Sequence, residues 1–159
     1  MWRTTLTSPI GTLTLAFDDR GIVRVAFEDD QDPVHGDPLP SGNAPWQLAS
    51  RFRRYFGGVL GALDPLPASL KGTPFQLKVW GAVRNIEPGT TLSYGELARR
   101  LGQVRGARAV GSANGANPVP LVVPCHRVIG ADGSLVGYGG GLARKRWLLA
   151  HEAGQRSLF

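Results

Sequence analysis

Ser93-Tyr94-Gly95-Glu96-Leu97-Ala98-Arg99-Arg100-Leu101-Gly102-Gln103-Val104-Arg105-Gly106-Ala107-Arg108-Ala109-Val110-Gly111-Ser112-Ala113-Asn114-Gly115-Ala116 reads as two short helices around a tight turn. Ser93 followed three residues later by Glu96 fits a capping box, and Leu97, Ala98 and Leu101 give the first helix its buried face. Gly102 to Gly106 is the turn, and Ala107 to Ala116 is a second helix rich in small residues. Two short helices joined this way form a helix-turn-helix pattern. The same hairpin also serves plain helix packing, and the pattern alone leaves both open. Arg108, Gly111, Ser112 and Gly115 fall at i, i+3, i+4 and i+7, one long cation among residues with almost no side chain. Such a face can approach another backbone closely, as in a nucleic-acid groove, or pack against a helix with Arg108 at its rim.

Upstream, Thr73-Pro74 places an N-cap before a proline at the first helical position. Phe75, Val79, Ala82, Val83 and Ile86 continue as a stripe until Glu87-Pro88-Gly89 stops it. Downstream, Asn117-Pro118-Val119-Pro120 cannot be helical. The apolar run Leu121, Val122, Val123 leads into Pro124-Cys125-His126-Arg127-Val128, a turn at 131–134, a glycine loop at 137–141 and a closing helix from Leu142 to Ala153. The glycine loop lacks the Lys-Ser/Thr of a phosphate loop and does not fit GxGxxG after a strand, which argues against nucleotide binding.

The N-terminal half has a different texture. Ile10 to Phe17 alternates as a strand, 18–21 is a turn, and Ile22 to Phe27 is a second strand, with Trp2 to Leu6 as a third. Residues 28–44, acidic and rich in Pro and Gly, read as a loop holding His35. Leu48, Phe52, Tyr55 and Phe56 make one apolar stripe, predicting a helix over Pro45 to Phe56. Pro65, Pro67, Gly61 and Gly72 mark 59–72 as a linker, giving a support domain over 1–72 and a second domain over 73–159. The fold class is therefore α+β, a small antiparallel-sheet domain followed by a mainly helical one.

The 159 residues are 42% apolar and 19% charged, enough for a real core. No apolar run is long enough for a membrane span, and no signal peptide is apparent at the N-terminus. Residues 1–72 carry a net charge of −1 and residues 73–159 a net of +7, which together make the chain's +6. Fifteen of the 18 basic residues are arginine. The basic half points to a polyanion such as nucleic acid, or simply to solvated surface arginines. The single cysteine, Cys125, excludes an internal disulfide framework and any multi-cysteine zinc site, and suits a reducing, cytoplasmic location.

Only about 3% of an ordinary thiol is thiolate at pH 7, so Cys125 needs a proton acceptor to act as a nucleophile. His126 is adjacent in sequence, which by itself says little. Glu152 lies at i+3 from Leu149 and i+4 from Leu148 and so shares a face with residues that should be buried. A buried carboxylate needs a partner, and a histidine is a natural one. Cys125, His126 and Glu152 would then be nucleophile, base and orienter. An inert buried thiol and a frayed, solvated Glu152 remain the alternative.

These residues, in this order, resemble the O6-alkylguanine-DNA alkyltransferase family (methylated-DNA–protein-cysteine methyltransferases). The likeness rests on Thr73-Pro74-Phe75-Gln76, Val79-Trp80, Ser93-Tyr94, Arg108-Ala109-Val110-Gly111, Asn117-Pro118-Val119-Pro120, Pro124-Cys125-His126-Arg127-Val128, Gly140-Gly141-Leu142 and Leu148-Leu149-Ala150-His151-Glu152. It is close over roughly 73–153 and only an outline before that, where the strand–strand–strand–helix order resembles the family's ribonuclease-H-like domain.

The resemblance implies a monomeric direct-repair protein whose partner is double-stranded DNA, bound mainly through the minor groove by a winged-helix-like helix-turn-helix. Ala109, Gly111 and Ser112 would lie against the DNA, and Arg108 would enter the stack where a base bearing an O6-alkyl group has flipped out. Tyr94 would hydrogen-bond that base and donate toward N3. His126 would take the thiol proton through a water, oriented by Glu152, and Asn117 would hinge the recognition helix to the cysteine turn. Val128, Tyr138, Gly139 and Pro120 would line the pocket. Displacement at an sp³ carbon needs a soft nucleophile and a stabilised leaving group rather than an oxyanion hole. Its thioether product does not hydrolyse readily. The implied reaction is a single, irreversible transfer from O6-alkylguanine, and from O4-alkylthymine, to Cys125, with no metal and no organic cofactor. The N-terminal half lacks the cysteines by which some members hold zinc, and Gly139 stands where serine or alanine is common, which predicts room for adducts larger than methyl. Two other classes stay open at this point: a lesion sensor that binds without repair, and a cysteine hydrolase.

Overall fold

Alternation of apolar residues in the N-terminal third produces a sheet that buries one face. The structure, a computed structural model, describes residues 1–103, 106–135 and 137–157. Strands β1 (Trp2–Ser8), β2 (Gly11–Phe17) and β3 (Ile22–Phe27) form an antiparallel meander, and a two-residue β4 (Asp37–Pro38) adds to β1 in parallel, giving the order β3-β2-β1-β4. Leu6, Leu13, Leu15, Phe17, Ile22 and Val25 are buried in this unit. Helix α1 (Leu48–Phe56) buries Leu48, Phe52 and Tyr55, the stripe read from the sequence.

Three local readings need correction. Residues 28–44 are not loop throughout, because β4 and a 3₁₀ turn at Ser41–Asn43 lie within them. The α-helix begins at Leu48 rather than Pro45, because Trp46 and Gln47 take left-handed φ values of 58° and 54° that a helix cannot continue through. Residues 59–70 are not a loose linker. Ala62, Leu63 and Leu66 are buried, the Ile22 N–H donates to the Pro67 carbonyl at 2.9 Å, and the Ser69 N–H donates to Ile22 O at 2.9 Å. Prolines fit here because this edge uses the carbonyl of Pro67 and needs no N–H from it. The approach is so close that a Cβ on Gly21 would lie 2.7 Å from the Pro67 backbone.

Contacts divide the chain into two compact units, Met1–Leu70 with Pro118–Val122, and Lys71–Asn117 with the chain from Val123 onward. In the first, the Val25 N–H donates to Pro118 O at 2.9 Å, and Val119 and Leu121 are buried.

The second unit is helical. Helix α2 (Pro74–Val83) is opened by a complete capping box, Thr73 with Gln76, and buries Val79, Trp80 and Val83. A short strand β5 (Leu92–Ser93) runs into α3 (Tyr94–Arg100), whose Glu96 N–H donates to the Ser93 hydroxyl at 3.1 Å. Helix α4 (Ala107–Gly115) follows, with Val104 and Arg105 of the predicted turn lying outside the described residues. Strand β6 (Val128–Ile129) pairs in parallel with β5, and α5 (Leu142–Ser157) closes the unit. Among the described residues no helix is long and apolar enough to cross a membrane.

Candidate active site

Proline at 118, 120 and 124 keeps the segment before Cys125 out of helix, so the cysteine enters on a turn. Cys125–Arg127 is a single 3₁₀ turn, closed by the Arg127 N–H donating to Pro124 O at 3.0 Å. Three side chains fix it. The Asn117 amide donates to Val123 O at 2.8 Å, the Asn114 amide donates to Cys125 O at 3.2 Å, and the Lys145 ammonium donates to Val128 O at 2.7 Å. The pairing of Leu92 with Val128 and of Ser93 with Ile129 anchors this turn beside the start of α3, which carries Tyr94.

Helix α5 presents Lys145, Leu148 and Glu152 on one buried face, at i, i+3 and i+7, each at most 1% exposed. Glu152 accepts from His126 Nε2 at 2.9 Å and receives a two-pronged bond from Arg127, Nε to Oε1 at 2.9 Å and Nη2 to Oε2 at 2.8 Å. Arg127 spends its remaining nitrogen on Ile86 O at 2.6 Å. Charge-assisted bonds of this number offset the desolvation of both ions.

The electrostatics follow from this geometry. Burial works against an ionised Glu152, but the hydrogen bonds and charges of His126 and Arg127 outweigh it and hold the carboxyl well below the usual range. Glu152 is therefore ionised and accepts only, so His126 must carry its proton on Nε2. Burial also drives the His126 pKa down, keeping the ring neutral. Its Nδ1 lone pair has no hydrogen-bond partner and is free to take a proton. Cys125 is pushed up from 9.0 to about 11, chiefly by burial, against the lowering effects of the Asn117 hydrogen bond and the Lys145 charge. Among the described residues, Lys145 is buried in the same cluster as Arg127 and Glu152, and its burial pushes its own pKa down.

These shifts make stability depend on pH at both ends. A thiol whose folded pKa is raised stabilises the native state below its unfolded value and loses that contribution as the pH climbs toward the folded one. At ~1.4 kcal/mol per pH unit, the neutral thiol contributes about 2–3 kcal/mol below pH 9, lost between pH 9 and about 11. The depressed Glu152 and His126 values work in the opposite direction, removing stability as the pH falls below about 6.5 and again below about 4.5. Urea midpoints measured from pH 4 to 11 should show both limbs, and Cys125→Ala should flatten the alkaline one; an unchanged alkaline limb would contradict the thiol's part in it.

The other expected site residues are distributed as follows. Tyr94 is half-buried, with the Lys145 ammonium 5.8 Å from its ring centroid. Arg108, Ala109 and Ser112 are exposed on α4, whereas Gly111 is turned partly inward, where a Cβ would lie 3.6 Å from the Tyr94 ring. Val128 is fully buried, Tyr138 is half-buried and Gly139 is exposed. Pro120 is buried in the segment that packs with the first unit. Among the described residues no group of three or more His, Cys, Asp or Glu could hold a metal ion. Sequence reasoning missed Lys145, Arg127 as the second partner of Glu152, and Asn114. The signals were present: Lys145 is in helical register with Leu148 and Glu152, and Asn114 with the buried Val110.

Residues 74–154 match the family model described as the 6-O-methylguanine DNA methyltransferase DNA binding domain, and residues 1–70 match its ribonuclease-like domain. The chain is 42% identical over 158 residues to a methylated-DNA–protein-cysteine methyltransferase of Salmonella typhimurium, spanning 92% of each chain. It is 52% identical over 112 residues to the protein of that name from Shigella flexneri, spanning 70% of this chain and 66% of the relative. The crystal structure of Mycobacterium tuberculosis OGT in complex with DNA superimposes with a TM-score of 0.86 at 42% identity, covering 98% of this chain and 94% of the other.

Proposed function

The chain belongs to the 6-O-methylguanine DNA methyltransferase family, and from that premise we propose how its residues divide the work. The protein is a methyltransferase that binds DNA and repairs O6-methylguanine by alkyl transfer. Cys125 is the acceptor. The exposed small-residue face of α4 lies in the minor groove, and Arg108 fills the gap left by the flipped base. The thiol proton passes to His126 Nδ1 through a water, the sulfur attacks the alkyl carbon, and the carbon–O6 bond breaks with its electron pair going to the guanine. Tyr94 donates toward N3 of the departing base, Asn117 steadies the thiol, and Lys145 balances the charge as the thiolate forms. The stable thioether ends the life of the molecule as a reagent.

The observation that carries this reading is the ionised Glu152 holding His126 Nε2 at 2.9 Å, which fixes the tautomer whose Nδ1 can accept the thiol proton. The reading extends to O4-alkylthymine and to a monomer working in the cytoplasm, where a lone thiol stays reduced. The pocket extends along Val128 and Tyr138. At Gly139 a Cβ would meet only Gly115 O, at 3.8 Å, which is consistent with a loop that tolerates larger adducts.

Intact mass after incubation with an O6-methylguanine duplex tests the assignment. One methylene of added mass per chain, mapped to Cys125, with no second turnover, is the expected result. Binding with unchanged mass would point instead to a lesion sensor, and repeated turnover on an ester or amide to a hydrolase.

A further inference from the structure

The apolar face of the first unit's sheet ends in an aromatic corner. Trp2 stands directly across from Phe17 in the β1–β2 pairing, and their rings lie side by side, centroids 6.2 Å apart and planes 29° apart. Trp46 closes the corner, nearly perpendicular to Phe17, with centroids 6.1 Å apart and planes at 79°. Phe17 is buried, whereas Trp2 is 39% exposed. These rings, with Leu39 and Pro45, wall a cavity of about 380 Å³, a size typical of small-ligand sites. Trp46 sits there at a left-handed φ of 58°, which a bulky residue adopts only where its surroundings enforce it. Arg51 supplies part of that enforcement, its Nε–H donating to Trp46 O at 3.0 Å.

The rest of the wall is charged. Asp18 and Asp19, on the turn after β2, complete the lining, and no basic side chain lines the cavity. Asp18 accepts at Oδ1 from the Arg20 N–H at 2.8 Å and the Gly21 N–H at 3.0 Å, and these bonds hold its carboxyl below the usual range. Asp19 is exposed. Aromatic faces attract cations, and neighbouring carboxylates deepen the attraction. Apart from the two aspartates, the lining side chains offer no hydrogen-bond acceptor. The N–H groups of a primary ammonium or a guanidinium pressed against the rings would therefore lose their water without replacement. A quaternary ammonium has no N–H to satisfy, and its methyl groups are themselves apolar surface. We propose that this corner binds a quaternary ammonium cation of the choline type, seated against Trp2, Phe17 and Trp46, with Asp18 and Asp19 balancing its charge. Betaine, which carries its own carboxylate, is repelled by the same two aspartates. None of these residues takes part in alkyl transfer, so the site is additional to the repair chemistry.

The test is an NMR titration of the isotope-labelled full chain with choline, betaine, guanidinium and dimethylbutanol, the neutral compound in which carbon replaces choline's charged nitrogen. Choline should saturate with a Kd on the order of 1–10 mM. It should shift the indole N–H signals of Trp2 and Trp46 and leave those of Trp80 and Trp147, the other two of the four tryptophans, in place. The other three compounds should bind at least about fivefold more weakly. Trp46→Leu and Trp2→Leu should each weaken choline about five- to tenfold, and Asp19→Asn about two- to threefold, a loss that fades in ~0.5 M salt. Retained alkyl transfer to Cys125 checks that each variant folds, and either tryptophan variant carries the comparison if the other does not. Equal binding of choline and dimethylbutanol would overturn the proposal in favour of a merely apolar cavity. Tighter binding of guanidinium than of choline, wild-type affinity in both folded tryptophan variants, or no saturable shift at about 50 mM choline would overturn it as well.

Discussion

Cys125→Ser is expected to bind alkylated DNA as the wild type does and to transfer nothing. The substitution exchanges one atom at a site 6% exposed, and the exposed surface of α4 is untouched. What changes is the nucleophile. Sulfur is soft and polarisable, suited to attack at an sp³ carbon, whereas a hydroxyl is a weak nucleophile at its own pKa. The hydroxyl proton is also far harder for a neutral imidazole to remove. A loss on the order of 10⁴-fold or more, ~5.5 kcal/mol of barrier, puts the variant below detection in the mass assay while fluorescence anisotropy still reports binding. A stoichiometric mass gain by the serine protein would contradict the assignment.

Glu152 yields the second large effect, and its two substitutions separate structure from chemistry. Glu152→Ala deletes the acceptor of three hydrogen bonds and leaves the Arg127 guanidinium buried with only the Ile86 carbonyl. Breaking a buried pair from one side costs about 3–5 kcal/mol, which should lower Tm by roughly 10–20 °C. Glu152→Gln keeps the volume, and its amide oxygen can go on accepting from His126 Nε2 and Arg127 Nη2, but its NH₂ then faces the Arg127 Nε–H, donor against donor, and the negative charge beside the imidazole is gone. A neutral amide gives far less support to the imidazolium that forms if His126 takes the thiol proton. Transfer should fall about 10²–10⁴-fold, the usual worth of general-base catalysis, with a smaller loss of Tm than for alanine. Wild-type kinetics in the glutamine variant would remove the Glu152 charge from any part in supporting His126 as base.

The contrast between what the chain announces and what it conceals has a physical basis. The helices α2, α3 and α4 are legible because their caps, Thr73 and Ser93, and their apolar periods lie within one or two turns of sequence. The buried face of α5 is legible for Glu152 by the same register. Its partners are not, since a period gives a direction and not what lies there; Arg127 reaches Glu152 across 25 positions of chain. Lys145 was hidden by its type, because lysine is read as solvated unless a partner such as Val128 O is known. The late start of α1 depends on two left-handed residues, Trp46 and Gln47, whose identities give no warning of it. Residues 59–70 look like a linker because their prolines forbid regular structure, yet they pair with a strand edge through the Pro67 carbonyl and the Ser69 N–H, and neither bond needs an N–H from a proline.

The raised pKa of Cys125 bears on how long a molecule keeps before use. A protein consumed by its one reaction is a stockpiled reagent, and its enemy is the peroxide or stray electrophile met while idle. Those agents attack thiolate far faster than thiol. A sulfur held protonated near pH 7 is spared those agents and therefore has a long shelf life.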